Sequence, residues 1–358
     1  MHLMFKANAI TGYSIDLKRY MLPNPAIRSA NISFSRKNCG AACFVFLRLR
    51  DKIALPDFLK TTCMELVIEN LSKTYNNGVR ALNNVSLTIP QGMFGLLGPN
   101  GAGKSTLMRT LATLQDADSG SVRMGDIDVL RDKNAVRRLL GYLPQEFGVY
   151  PRISSEMMLD HLAQLKGLTN KGERKDTVAA LLQKVNLWDA RKRNLGTYSG
   201  GMKQRFGIAQ ALIGNPKLLI VDEPTAGLDP AERNRFYNLL SEVGESTIVI
   251  LSTHIVEDVK TLCKNMAIIC GGEVMHVSTP QEAVHWLDGK VWSKAIDKHD
   301  IQSYRTLYHV IATQLSGGKL FIRVVSDTQP EQGFEPIEPT LEDVYFNAIS
   351  SKVDLVTL

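Results

Sequence analysis

Gly98-Pro99-Asn100-Gly101-Ala102-Gly103-Lys104-Ser105-Thr106 decides the fold. The stretch has the spacing G-x-x-x-x-G-K-[ST]. It follows an apolar run, Met93 to Leu97, and leads into a helical pattern carrying Leu107, Leu111 and Leu114. Strand, glycine loop and helix in that order predict a loop whose backbone N–H groups converge on phosphate oxygens, helped by the positive end of the helix. Lys104 then reaches the β- and γ-phosphates, and the Ser105 hydroxyl is a ligand for Mg2+.

On either side of that loop the apolar pattern is dense. Leu218 to Val221 and Ile248 to Leu251 are short continuous runs, whereas Val85, Leu87 and Ile89 alternate with polar residues. Buried runs separated by helical stretches predict a parallel sheet with helices on both faces, and alternation predicts a half-buried strand. Met64 opens another strand pattern with Leu66 and Ile68. Residues 150–198 read as helix, through Met157, Leu159, Leu162 and Leu165, then Val178, Leu181, Leu182 and Val185, with Met157-Met158 in its core.

Two further segments carry chemistry. The run at Leu218 ends in Asp222-Glu223. Asp222 can hold Mg2+ through water, and Glu223, which strand alternation turns to the other side, can take a proton from an attacking water. The segment Tyr198-Ser199-Gly200-Gly201-Met202-Lys203-Gln204-Arg205 precedes a helical stretch with Phe206, Ile208 and Leu212. Its Ser-Gly-Gly turn can aim N–H groups at an anion, or simply cap the helix.

The 358 residues are 44% hydrophobic and 22% charged, an ordinary globular composition that fits two or three domains and excludes a disordered or disulfide-dense chain. The net charge of +6 is unevenly placed: residues 1–63 hold ten Lys or Arg against three Asp or Glu, the remainder 32 against 33. A basic face on the folded body is therefore not implied, and no nucleic-acid partner is expected. Five cysteines at scattered spacing, Cys39 and Cys43 included, give no zinc or disulfide pattern and read as reduced thiols. The longest apolar run, Ala41 to Leu47, falls well short of the roughly 18 residues of a membrane span. Residues 1–63 read as a basic, poorly ordered extension ahead of Met64, and residues 273–358 as a small α+β accessory domain. Within the latter, Thr279 caps a helix at Pro280 and a last helix follows Pro339-Thr340. His161, His276, His285, His299 and His309 show no ligand spacing, and Trp188, Trp286 and Trp292 read as packing residues.

Taken in order and spacing, residues 64–272 resemble the ATP-binding cassette (ABC) ATPases. The Gly98 loop is similar to their Walker A, Gln145 to the Q-loop, Ser199 to Gln204 to the signature, Asp222-Glu223 to Walker B with its catalytic Glu, Ala226 to Asp229 to the D-loop, and His254 to the switch histidine. Tyr75 sits where the family stacks an aromatic on adenine. Two departures occur, Tyr198 for the usual leading Leu and Met202 for the usual final Gln. The resemblance implies a P-loop fold of ABC type: a parallel-sheet core, an antiparallel β subdomain and a helical subdomain over about 146–198. It implies ATP hydrolysis with Mg2+ held by Ser105, Gln145 and Asp222, and catalysis by Glu223, His254, Gln145 and Lys104. It also implies a head-to-tail dimer, of two copies or with another cassette. Ser199, Gly200, Gly201, Met202 and Asp229 would meet the nucleotide across that interface. Gly148 to Arg152 and Pro339 to Phe346 look most like exporter subunits bound to a separate integral-membrane permease at the cytoplasmic face. A soluble ABC ATPase acting on ribosomes or nucleic acid, or an importer ATPase with a regulatory tail, are the alternatives. The first usually carries two cassettes or a long coiled-coil insert. Here there is one Walker A, and about 95 residues separate Lys104 from Ser199.

Overall fold

The computed structural model describes residues 2–7, 33–39, 42–48, 64–225, 227–350 and 352. Its centre is a six-stranded sheet. From one edge to the other the strands are Glu273–Ser278, Asn265–Cys270, Gly92–Leu97, Ile248–Thr253, Leu218–Asp222 and Leu140–Leu143. Five run parallel, and only the edge strand Glu273–Ser278 is antiparallel to its neighbour.

The continuous apolar runs follow from burial on both faces. Leu219, Val221, Val249 and Leu251 point into one core, and Leu218, Ile220, Ile248 and Ile250 into the other. Each is at most 1% exposed, so each contributes about 1.5–3 kcal/mol of hydrophobic burial. Helix Val256–Leu262 lies so close on Gly95 that a Cβ there would meet Val259 Cγ1 at 2.6 Å. Only glycine fits that crossing.

A second, antiparallel sheet orders Arg80–Ile89, Leu66–Thr74, Ser119–Met124 and Ile127–Asp128. Val85, Leu87 and Ile89 face inward, as their alternation predicts. The helical region contains Ser155–Leu165, capped by Ser154, and Lys171–Lys184, capped by Asn170. Leu159, Ala163, Val178 and Leu182 form its core. Met157 does not join them: it is 66% exposed, as Leu165 is at 71%. A 3.6-residue period puts Met157, His161 and Leu165 on one outer face, a quarter turn or more away from Leu159 and Ala163. Leu114 likewise falls outside helix Lys104–Leu111, beyond Thr113 at φ +60°, and is 58% exposed.

The expected boundary at 272/273 falls at the end of the Gly271-Gly272 turn. Both glycines have positive φ (+57° and +77°), as a tight two-residue hairpin requires. The core sheet thus takes its edge strand from beyond that boundary. Beyond it, Val291–Ile296, Val310–Ser316, Lys319–Val325 and Glu335–Pro336 form a four-stranded antiparallel sheet. The final helix, Leu341–Ile349, returns to the core: Leu341, Val344, Tyr345 and Ile349 pack in the same cluster as Met266 and Ile268. Trp188 and Trp292 are partly buried against cores, but Trp286 is 55% exposed, with Lys290 Nζ 5.4 Å from its ring. Among the described residues no helix is long and apolar enough to cross a membrane.

Met1–Thr62 forms a separate unit from Cys63–Leu358. Its described part is three antiparallel strands in the order His2–Ala7, Ala42–Arg48, Ser33–Cys39. The rest of 1–63, on which the expectation of a poorly ordered extension mostly falls, lies outside the described residues.

Candidate functional site

Parallel register places the candidate site. Leu97 pairs with Thr253, Asp222 with Ser252, and Val221 with Leu143. Four neighbouring strands therefore end level with one another. The Gly98 loop, His254, Asp222-Glu223 and Gln145 each leave one of those ends, the usual location of ligands in open α/β sheets.

Glu223 is the centre of the cluster. Gln145 Nε2 donates to its Oε2 at 3.0 Å, and His254 Nδ1 lies 3.0 Å from its Oε1. Strand alternation does not set this direction. The strand stops at Asp222, and Glu223 adopts φ +46°, with its N–H bonded to the Ser252 carbonyl at 2.8 Å. A non-glycine residue in the left-handed region stores strain. Both the Glu223 and the Asp222 carboxylates act electrostatically on Lys104. Each Glu223 oxygen keeps a second lone pair with which a water can bond.

The loop fits an anion. Helix Lys104–Leu111 starts at Gly103 with no side-chain cap and no acidic residue in its first turn, so its own sequence leaves the first N–H groups free to meet an anion. Lys104 is 5% exposed, and its Nζ donates to the Gly98 carbonyl at 2.6 Å and the Pro99 carbonyl at 3.1 Å. Burial pushes its pKa down, against the pull of Glu223 and Asp222. Burial also lifts the Asp222 carboxyl above the usual range. A hydrogen bond with Ser252 opposes that, Glu223 adds to it, and Lys104 and Ser105 oppose it further. Carboxylate, amide and hydroxyl oxygens from Asp222, Gln145 and Ser105 are the hard donors that suit Mg2+. Gly103, at φ +105°, also lies against the β subdomain, where a Cβ would meet the Ala81 carbonyl oxygen at 2.4 Å. Asn100 and Gly101 are exposed at the loop tip, and Ala102 and Thr106 are buried. The Tyr75 hydroxyl lies 3.1 Å from Thr106 Oγ1, so its ring stands beside the start of the same helix.

Ser199, Gly200, Gly201 and Met202 are elsewhere, at the start of helix Gly200–Ala211. Ser199 Oγ accepts the Met202 N–H at 3.2 Å, the capping arrangement. A Cβ on Gly201 would collide with the Glu232 carboxylate at 2.7 Å. Asp229 caps the neighbouring helix, Pro230–Gly244, accepting from Glu232 N at 2.8 Å. Ala226 lies outside the described residues. Tyr198 is 4% exposed, with its hydroxyl 2.8 Å from Ser155 Oγ and 2.9 Å from the Ala190 carbonyl. The hydroxyl that distinguishes it from Leu is therefore satisfied inside the helical region. Buried Thr225 and Thr253, which flank Glu223 and His254, share a carboxylate that the motifs do not reveal, Asp258.

Known proteins resemble this chain. The profile of the ABC transporter family matches residues 82–226. A linearmycin resistance ATP-binding protein of Bacillus subtilis is 34% identical over 68% of this chain and 80% of its own. A daunorubicin/doxorubicin resistance ATP-binding protein of Streptomyces peucetius is 36% identical over 73% of this chain and 77% of its own. Among solved structures, a dimeric ATP-binding cassette bound to ADP and Pi in a post-hydrolysis state superposes with a TM-score of 0.55. It is 26% identical and covers 60% of this chain and 98% of that one. The chain belongs to the ABC transporter family, as an ATP-binding subunit that hydrolyses ATP in support of transport.

Proposed function

We propose that this chain drives an exporter of the antibiotic-resistance class through a separate integral-membrane permease at the cytoplasmic face. The observation that carries its ATP-hydrolysing role is the Glu223 carboxylate held between Gln145 and His254, level with the Lys104 loop. In this reading the Gly98–Thr106 loop and Lys104 bind the β- and γ-phosphates, and Tyr75 stacks on adenine. Ser105, Asp222 and Gln145 would hold Mg2+, which when bound neutralises phosphate charge. Glu223 takes the proton of the attacking water, and His254 orients Glu223 through the contact at Oε1. Gln145 reports nucleotide state to the helical region. A groove beside that region supports a permease contact: Leu162, Leu165 and Lys166 line it together with Leu114 and Tyr142, and Tyr150 and Met157 lie exposed in the helical region. The likeness to the two resistance proteins supports the exporter class.

Ser199 and Gly201 would complete the site of a second cassette, because a nucleotide bound by one loop alone leaves its other face to water. Glu223→Gln with Mg-ATP should then trap a dimer on size exclusion, and adding Ser199→Arg should return it to monomer while nucleotide binding survives. A Glu223→Gln protein that stays monomeric at tens of micromolar, on the order of ordinary transient affinities, would overturn assembly as a homodimer.

A further inference from the structure

The turns after the acidic strand and after the histidine strand share one support. Asp258, in helix Val256–Leu262, is 0% exposed. Its Oδ2 accepts from the Thr225 hydroxyl at 2.5 Å and the Thr253 hydroxyl at 3.3 Å, and its Oδ1 accepts from the Tyr237 hydroxyl at 2.5 Å. Thr225, Thr253 and Tyr237 are themselves buried. Thr253 Oγ1 also accepts the Ile255 N–H at 2.9 Å, which leaves its single proton for Asp258. Burial, reinforced by the bond to Asp258, pushes the Tyr237 phenol far above its usual range, so Tyr237 stays a donor at any working pH.

Position gives this network its meaning. Thr253 immediately precedes His254, whose Nδ1 touches Glu223. Thr225 lies two residues after Glu223, at the head of the turn that ends at Asp229. Tyr237 sits on the helix that Asp229 caps. Burying a carboxylate is costly even when it is hydrogen-bonded, and an apolar side chain of similar size would commonly stabilise such a site at least as well. What an apolar side chain cannot do is tie two turns to one atom. A fully satisfied buried network holds its members in one arrangement.

We infer that Asp258 is a positioning residue for ATP hydrolysis: by binding Thr225 and Thr253 through a single oxygen, it fixes His254 against Glu223 and locks the turn leading to Asp229 to the same frame. The inference rests on the reading of Glu223 and His254 given above. Tyr237, bonded to the other oxygen, orients the carboxylate from the side.

The test uses the full chain and reads kcat, KM for Mg-ATP, affinity for a fluorescent ATP analogue and thermal midpoint. Thr225→Val is close to isosteric and deletes one donor, while Thr225→Ser keeps it. Thr225→Val should lower kcat about tenfold or more with KM and nucleotide affinity within about twofold, since small misplacements of catalytic groups act on the rate rather than on binding. Thr225→Ser should restore kcat, and Asp258→Asn should fall in the same direction as Thr225→Val. Tyr237→Phe should do less, because it removes the donor that touches neither turn. His254→Ala separates the two readings. If it leaves turnover intact, the underlying site reading fails. If it abolishes turnover while folded Thr225→Val and Asp258→Asn stay within about twofold of wild type, the positioning role is overturned. A lowered thermal midpoint with unchanged kcat in Thr225→Val overturns it equally.

Discussion

The ATP-site edge of the core sheet and the sheet that follows residue 290 handle buried charge in opposite ways. In the later sheet charges come with partners. Arg323 Nη2 donates to Asp343 Oδ2 at 2.6 Å, Asp343 is 2% exposed, and the same carboxylate closes a capping box with Thr340. Even the half-exposed Glu331 accepts from Lys294, Tyr304 and Tyr308 together. At the proposed ATP site Lys104 has, among the described residues, only backbone carbonyls as hydrogen-bond partners, burial disfavours the charged forms of both Lys104 and Asp222, and Glu223 sits in a strained backbone conformation. One region uses charge to fix its shape. The other keeps charge in readiness for a ligand, at some loss of stability.

Breaking the first arrangement should have the larger thermodynamic effect. Asp343→Ala leaves Arg323 partly buried without its carboxylate partner and removes the half of the capping box that binds the Thr340 N–H, which should cost about 3–5 kcal/mol in urea unfolding. A loss of only a few tenths would mean that this carboxylate is not a structural tie. Relieving the second arrangement should act in the opposite sense. A carboxyl whose folded pKa is raised contributes stability below its unfolded value, and that contribution is lost as the pH rises through the folded value. At pH 7 charged Asp222 therefore subtracts from stability. Asp222→Asn should stabilise the nucleotide-free protein by about 1 kcal/mol while losing Mg-dependent turnover. Destabilisation by Asp222→Asn would remove the contrast between the two regions.

The sequence was most legible where a local pattern has a single physical solution. The Gly98 loop and the twice-buried strand Leu218–Asp222 are of this kind, because glycine placement and uninterrupted apolar runs admit few structures. Positions decided by tertiary context were not legible. Met157 and Leu165 fit a helical pattern yet face outward, because the partner helix covers the face of Leu159 and Ala163 instead. Glu223 was expected to turn by alternation, but the strand ends one residue earlier and the backbone enters the left-handed region. Asp258, Thr225 and Thr253 are ordinary residues at unhelpful spacing, and only the packing of helix Val256–Leu262 beneath two strand ends brings them together. The hydroxyl of Tyr198 gains its meaning from Ser155, 43 residues away, and from the Ala190 carbonyl.

The central claim is that Glu223 is the base and that the groups around it serve it. The most direct measurement compares wild type with Glu223→Gln for both ATP affinity and turnover in Mg2+. The amide keeps the shape and can still meet Gln145 and His254, but it cannot take a proton. Affinity should stay within about threefold, while kcat falls by about a hundredfold or more, the range expected for loss of a general base. Turnover within about threefold of wild type would contradict the claim and require the base to be sought elsewhere on the site.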